Sequence, residues 1–162
     1  MRKSPQKQRT KTKKMKIQGQ PRQFKIICEE CEKYNCPQIT QSEDINNFMK
    51  DIVKTHINIY ECFYAIYLNH SNKIIGYSLI SQGGVTATNV DVKLVMFGAI
   101  NTLATGLILV HNHPSGNTKP SREDEHITKE IVEASKLFQI RVLDHLILTD
   151  ESYTSFADEG LI

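Results

Sequence analysis

Two continuous apolar segments constrain the fold of this chain more than any other feature. Residues 62–68 and 107–110 are apolar without interruption, whereas a strand with one face in water alternates apolar and polar residues. Such short runs are typical of strands that are buried on both faces. The two runs therefore predict a sheet that is covered by other elements.

The remaining patterns predict helices and further strands around these two segments. A helix begins at Ser42, which we expect to be its N-cap, and continues to about Thr55, because apolar residues recur at three- and four-residue spacing. The other predicted elements are a hairpin turn at 69–72, a returning strand at 73–81, helices at 92–104 and from Ser121, and a last strand at 142–148. This order predicts a mixed sheet flanked by helices, of the α/β or α+β class.

The composition is that of a globular protein without a membrane span. Hydrophobic residues make up 40% and charged residues 23% of the 162 residues. No apolar run approaches the roughly 18 residues that a membrane helix needs, and no apolar stretch typical of a secretory signal follows the positively charged start. The 4 cysteines are too few and too clustered for a disulfide framework. We therefore expect a cytoplasmic protein with reduced thiols.

Positive charge is concentrated at the start of the chain. Residues 1–25 hold 10 of the 20 Lys and Arg residues and none of the 18 acids, so the rest of the chain has a net charge of −8. Residues 1–23 have almost no apolar side chains, which predicts a disordered basic tail. Its lysines, among them Lys11, Lys13, Lys14 and Lys16, predict weak contact with nucleic acid. The alternative is a solvated leader that binds nothing specific.

Three cysteines lie in the segment that follows the tail. Residues 24–41 are irregular in pattern and contain Cys28, Cys31 and Cys36. Their spacing is compatible with the start of a zinc knuckle, but a closed structural site needs four ligands, and the remaining cysteine, Cys62, is far downstream. Ordinary small, partly buried side chains are the alternative that we favour.

Two histidines and an aspartate form the most informative pattern. His111 and His113 follow the buried run 107–110, and residues i and i+2 of an extended chain point to the same side. Asp124 lies in the first turn of the next helix, beyond a Pro- and Gly-containing loop that can bring it back towards the histidines. Two imidazoles and a carboxylate would make a three-ligand zinc site with a fourth position for water. The alternatives are solvated histidines and an Asp124 that, with Ser121, only caps the helix.

The segment from His111 to Asp124 also resembles a known family motif. His-x-His-Pro at 111–114 followed by Ser121-x-x-Asp124 is similar to the JAMM signature of JAB/MPN metalloenzymes, and the flanking sequence is similar to the RadC-like branch. This resemblance covers about 42–162 and implies a RadC-like JAB/MPN domain there. It implies the cytidine-deaminase-like architecture, with a largely antiparallel mixed sheet, and one Zn²⁺ per chain held by His111, His113 and Asp124.

The resemblance also implies two catalytic residues. Glu61, directly before the apolar run 62–68, matches the family's general base, although an exposed carboxylate at a strand end is the alternative. Ser121 matches a serine that helps to hold the substrate carbonyl or its oxyanion. Full-length RadC-like proteins carry a helix-hairpin-helix region before this domain, whereas this chain has a short helix and a basic tail there.

Two functions follow from these observations. The first is a zinc-dependent hydrolase of amide or isopeptide bonds in a peptide-type substrate, with Glu61 as the base. The second is a DNA-repair or mobile-element accessory protein that binds nucleic acid and whose zinc site is structural or vestigial. The complete set of ligands and base favours the first function, and the basic tail favours the second.

Two adjacent polar residues interrupt the last predicted strand. Asp144 and His145 lie within an otherwise apolar segment and should face opposite sides of the sheet, each with a partner. We expect one of them, preferably Asp144, to support the zinc site by accepting a hydrogen bond from a ligand histidine. A core hydrogen bond unrelated to the site is the alternative.

Overall fold

The computed structural model describes residues 37–83 and 90–162. Its elements are α1 (Ser42–Val53), β1 (Cys62–Leu68), β2 (Ile74–Gln82), α2 (Val92–Asn101), β3 (Gly106–Asn112), α3 (Arg122–Lys136), β4 (Arg141–Leu148) and β5 (Tyr153–Ser155). The strands form one sheet in the order β2-β1-β3-β4-β5. The β3–β4 pair is parallel and the other three pairs are antiparallel. The predicted mixed, largely antiparallel sheet flanked by helices is therefore confirmed.

Both faces of the central strands are buried, which explains the two continuous apolar runs. Alternate residues of β1 contribute to two separate cores, for example Tyr64 to one and Phe63 to the other. The first core includes Ile45, Met49 and Val53 of α1, and the second includes Val95, Met96 and Ala99 of α2 together with Ile131 of α3. Helix α1 thus covers one face of the sheet, and α2 and α3 cover the other.

The chain connection between β3 and β4 brings the predicted site residues to one edge of the sheet. Because these strands are parallel, the chain must return across a sheet face, and it does so through α3. The loop at 113–121 joins the end of β3 to the start of α3. The last residues of β3 and the first turn of α3 consequently lie beside each other.

Several predicted helix ends differ from the observed ones. Gln41, and not Ser42, is the N-cap of α1, since the Ser42 hydroxyl donates to the Asp158 carboxylate at 2.6 Å. Helix α2 ends at Asn101 and not at residue 104, because Leu103 adopts the left-handed backbone conformation with φ of 53°. Helix α1 ends two residues before the predicted Thr55.

Membrane-spanning helices were not expected from the sequence. Within the ranges 37–83 and 90–162, every helix is too short or too polar to cross a membrane.

Helix α2 packs closely over β1 at a glycine. A Cβ atom added to Gly98 would lie 1.9 Å from the Tyr67 hydroxyl oxygen, and Tyr67 is only 1% exposed. We predict that Gly98→Ala lowers the free energy of unfolding by about 1–3 kcal/mol, because the buried ring must move to make room. This net loss remains although alanine stabilises a helix by roughly 1 kcal/mol relative to glycine. Urea denaturation of the two proteins measures the difference.

Gly76→Ala is the matched control, since a Cβ there would lie an ordinary 3.9 Å from the same tyrosine. It should change the free energy of unfolding much less. Equal or greater stability of Gly98→Ala than of the unmodified chain would contradict the close packing of α2 on β1.

Candidate metal centre

The histidines occupy the end of β3, where strand pairing holds the backbone on both sides. His111 pairs with Phe63 of β1 and with Ile147 of β4. The backbone N–H of His113 donates to the Leu148 carbonyl at 2.9 Å, so β4 still holds the chain one residue beyond β3. His111 and His113 therefore project from backbone that is hydrogen-bonded to its neighbours in the sheet.

The side chains of His111, His113 and Asp124 meet at one point. The two Nε2 atoms are 2.9 Å apart, and His111 Nε2 lies 3.1 Å from Asp124 Oδ1. His113 Nε2 lies 3.6 Å from Asp124 Oδ2. Ligands at about 2.0–2.1 Å from a tetrahedral zinc ion are about 3.3 Å from one another, so the observed distances fit such an ion.

Access to this cluster is from one side. The His111 side chain is 1% exposed, whereas those of His113 and Asp124 are 15% and 12% exposed. The three donor atoms lie within 4.8 Å of one another. Within residues 37–83 and 90–162, this is the one group of three or more His, Cys, Asp or Glu side chains placed to hold a metal ion. The cluster is thus closed on the His111 side and partly open to solvent on the side of His113 and Asp124.

Hydrogen bonds outside the cluster orient both histidines. His113 Nδ1 lies 2.6 Å from the Asn117 carbonyl oxygen. Because a carbonyl oxygen only accepts, Nδ1 carries the proton and the lone pair of Nε2 points into the cluster. His111 Nδ1 lies 2.8 Å from His145 Nε2.

Ser121 orients the carboxylate at the start of α3. The Ser121 N–H and hydroxyl donate to Asp124 Oδ2 at 2.7 and 2.6 Å, and the Asp124 N–H donates to the Ser121 hydroxyl oxygen at 3.1 Å. This reciprocal arrangement is a capping box. Since Oδ2 accepts both bonds, Oδ1 is the oxygen left to face His111.

The pKa values of the cluster describe a site that favours a cation. Burial tends to raise the pKa of Asp124, but the nearby imidazoles of His111 and His113 hold it well below its usual range. The hydrogen bond with Asp124 raises the pKa of His113 in spite of burial, and the Asn117 carbonyl and the negative charge of Glu61 add to this increase. The converging lone pairs and the carboxylate attract either a proton or a metal ion.

Glu61 lies beside this cluster, directly before β1. Its side chain is partly buried, and its backbone carbonyl accepts a hydrogen bond from the Gly83 N–H at 2.9 Å. The antiparallel pairing of Phe63 with His111 brings the residue two positions earlier to the neighbourhood of His113. Among the described side chains, Glu61 is outside the group whose donor atoms lie within 4.8 Å of one another.

Asn112, between the two histidines, faces the opposite side of the sheet and holds the segment that carries Glu61. Its Oδ1 accepts from the Cys62 N–H at 2.9 Å, and its Nδ2 donates to the carbonyls of Ile57 and Tyr60 at 2.8 and 3.0 Å. The side chain is fully buried. In the sequence, this role is indicated by the position of Asn112 between the two histidines. Strand alternation places its amide on the other side of the sheet from His111 and His113.

The two polar residues of β4 have different partners, and the one that we preferred as support for the site lies away from it. The Asp144 carboxylate accepts from the Ser155 hydroxyl at 2.6 Å and from the Ala157 N–H at 3.0 Å, so it anchors the chain around β5. His145, and not Asp144, contacts His111. The choice of Asp144 as the support of a ligand histidine was therefore wrong, and the core hydrogen bond that we kept as its alternative is observed. Burial, together with the nearby His111, lowers the pKa of His145 well below its usual value.

Comparison with known sequences agrees with the geometry of this centre. A family model described as the RadC-like JAB domain matches residues 39–161. The chain belongs to the RadC-like JAB family. It is 45% identical over 123 residues to a UPF0758 protein of Flavobacterium johnsoniae, which covers 76% of this chain and 53% of that protein. It is 46% identical over 103 residues to a UPF0758 protein of Porphyromonas gingivalis, covering 63% of this chain and 45% of that protein.

This RadC-like chain spans about half the length of the relatives that it matches. Their names state no activity. The family is therefore shown by sequence, and the chemistry has to be argued from the site itself.

Other predicted site residues lie outside the part of the chain that the structure describes. These are the cysteines Cys28, Cys31 and Cys36 and the lysines Lys11, Lys13, Lys14 and Lys16. A second metal at the cysteines and nucleic-acid contact at the lysines stay predictions.

The raised pKa of His113 predicts how the stability of the metal-free protein depends on pH. The charged His113 beside Asp124 stabilises the fold fully below the ordinary histidine pKa of about 6.5, and this contribution is lost as the pH rises through the higher pKa of the folded state. We predict that the stability advantage of the unmodified chain over His113→Ala is largest below about pH 6.5 and shrinks as the pH rises through the raised pKa of His113. Thermal unfolding of chelator-treated proteins measures it.

Comparison with His113→Ala removes the contributions of other histidines. Burial lowers the pKa of His56, which gives the opposite pH slope in both proteins. An advantage that grows as the pH rises above about 6.5 would contradict the assigned pairing of His113 with Asp124.

Proposed function

We propose that this RadC-like chain is a zinc-dependent hydrolase of amide or isopeptide bonds in peptide-type substrates. The observation that carries the proposal is the convergence of His111 Nε2, His113 Nε2 and Asp124 Oδ1 at the partly open edge of the sheet. Glu61 lies close by without being part of that group.

The donor set favours zinc over other common metals. Two imidazole nitrogens and one carboxylate oxygen are typical of catalytic zinc sites, which keep a fourth position for water. Magnesium and calcium prefer sites made of oxygen atoms. A zinc ion held by His111, His113 and Asp124 would supply a water of lowered pKa and would polarise the substrate carbonyl.

Glu61 is suited to move the proton in this reaction. We assign its carboxylate the removal of a proton from the attacking water and the return of that proton to the leaving amine. Asn112 and Gly83 hold the backbone around Glu61, so the carboxylate belongs to an ordered segment. A base that is anchored next to the ligands needs little rearrangement before the reaction.

Ser121 takes a positioning role in this proposal. Its single hydroxyl proton is donated to Asp124 Oδ2, so it is already engaged and does not face a substrate oxyanion. By fixing Oδ2, Ser121 turns Oδ1 towards the metal position. The oxyanion role that the family resemblance implies for Ser121 is thus the less favoured of the two.

A second function, contact with nucleic acid, rests on charge alone. Residues 1–25 contain 10 basic and no acidic residues, and such a segment favours phosphate-rich partners. This function would add to the hydrolase activity and would not replace it.

Replacement of Glu61 tests the proposed chemistry. We predict that Glu61→Gln retains zinc and the fold but lowers the hydrolysis of peptide and isopeptide amides by about 10²–10⁴-fold, because an amide cannot accept the proton of water. The assay compares zinc-loaded proteins on a panel of such amides, together with their zinc content.

Glu159→Gln is the control, because it makes the same chemical change at an exposed position near the end of the chain. It should leave both zinc content and hydrolysis unchanged. Loss of zinc from Glu61→Gln would make Glu61 a ligand, and hydrolysis at the unmodified rate would remove it from the mechanism.

A further inference from the structure

A line of buried polar side chains lies behind His111. It continues from His111 through His145 to Thr128 of α3, and both His145 contacts are short: 2.8 Å from Nε2 to His111 Nδ1 and 2.6 Å from Nδ1 to the Thr128 hydroxyl oxygen. His145 is completely buried and packs against the rings of Phe63 and Phe156. No local pattern of the sequence connects Thr128 with the site.

The direction of the first hydrogen bond follows from the Asp124 backbone. The Thr128 hydroxyl oxygen lies 2.5 Å from the Asp124 carbonyl oxygen. A carbonyl oxygen only accepts, so the single hydroxyl proton of Thr128 must point to it. The Thr128 oxygen is then an acceptor for its other neighbour, and His145 Nδ1 must carry a proton.

The direction of the second hydrogen bond follows from the first. A fully buried imidazole between aromatic rings is neutral and has one N–H group. With that proton on Nδ1, His145 Nε2 can only accept, so the donor is the Nδ1–H of His111. His111 then carries its proton on Nδ1 and presents the lone pair of Nε2 to Asp124 Oδ1, 3.1 Å away.

We propose that Thr128 and His145 are positioning residues that fix the tautomer of His111, so that Nε2 is always free to bind the metal. The opposite tautomer would place a proton on Nε2, where the metal ligand atom is needed. We call the hydrogen-bonded series from Thr128 through His145 to His111 the relay. Asp124 lies at both of its ends, because its backbone carbonyl accepts from Thr128 and its carboxylate contacts His111. The inference rests on the metal site of the proposed function, and it concerns residues that do not touch the metal.

A pair of variants at Thr128 tests the relay. Thr128→Val has nearly the same shape but lacks the hydroxyl, which leaves the tautomer of His145, and hence that of His111, undetermined. Thr128→Ser keeps the hydroxyl and is the matched control. We expect Thr128→Val to bind zinc about ten- to a hundredfold more weakly than the unmodified chain, as is typical when the support of a ligand histidine is removed. Thr128→Ser should bind close to normally in a competition titration against a chromogenic chelator.

A spectroscopic measurement reports the tautomer directly and needs neither zinc nor a substrate. In ¹⁵N spectra of the metal-free protein, His111 should be protonated on Nδ1 in the unmodified chain and in Thr128→Ser, and should show the other tautomer or a mixture in Thr128→Val. If Thr128→Val does not fold, Thr128→Ala removes the same hydroxyl with a smaller side chain. The melting temperature of each variant shows whether the fold is intact.

Two results would overturn the relay. One is an unchanged His111 tautomer together with an unchanged zinc affinity in Thr128→Val. The other is an equal loss of zinc affinity in Thr128→Val and Thr128→Ser, which would assign the effect to packing. A missing hydrolase activity would contradict the proposed function but leave the tautomer result valid. The two proposals can therefore fail separately.

Discussion

The pairing of β3 between β1 and β4 is the constraint on which the rest of the structure depends. Because both edges of β3 are hydrogen-bonded, successive side chains at its end must alternate between the two faces of the sheet. His111 faces the α3 side and meets Asp124 there, whereas Asn112 faces the other side and holds the segment before β1. One strand end thus fixes both the candidate metal ligands and the backbone next to the candidate base. A slip of one residue in the pairing of β3 would exchange its two faces. It would separate His111 from Asp124, and Asn112 from the segment before β1.

The fold class and the grouping of His111, His113 and Asp124 could be predicted from the sequence for a common physical reason. Continuous apolar runs identify buried strands, and the i, i+2 periodicity of a strand places His111 and His113 on one side. The N-cap signal at Ser121 locates the start of α3 and hence Asp124. These are local rules, and each acts over a few residues. Glu61 is different, because its proximity to His113 depends on the pairing of β1 with β3, and the family resemblance supplied what local rules could not.

The residues that were assigned wrongly depend on contacts between distant parts of the chain. Alternation predicted that Asp144 and His145 face opposite sides, but the choice of side depends on the register of β4 against β3, which shifts between Leu107 and Ile108. Ser42 has the chemistry of an N-cap, yet it bonds to Asp158, 116 residues away. The role of Thr128 could not be predicted, because it depends on the contact of Thr128 with His145, which lies on a different element.

The metal content of the purified protein shows whether His111, His113 and Asp124 bind zinc. We expect about one zinc per chain, lost in His111→Ala and retained in His126→Ala, whose histidine is exposed on the same helix as Asp124. Mass spectrometry of metals in the three proteins, purified side by side, measures this. A chain that neither contains zinc nor takes it up when zinc is added, or a His111→Ala variant with normal zinc content, would rule out this zinc site.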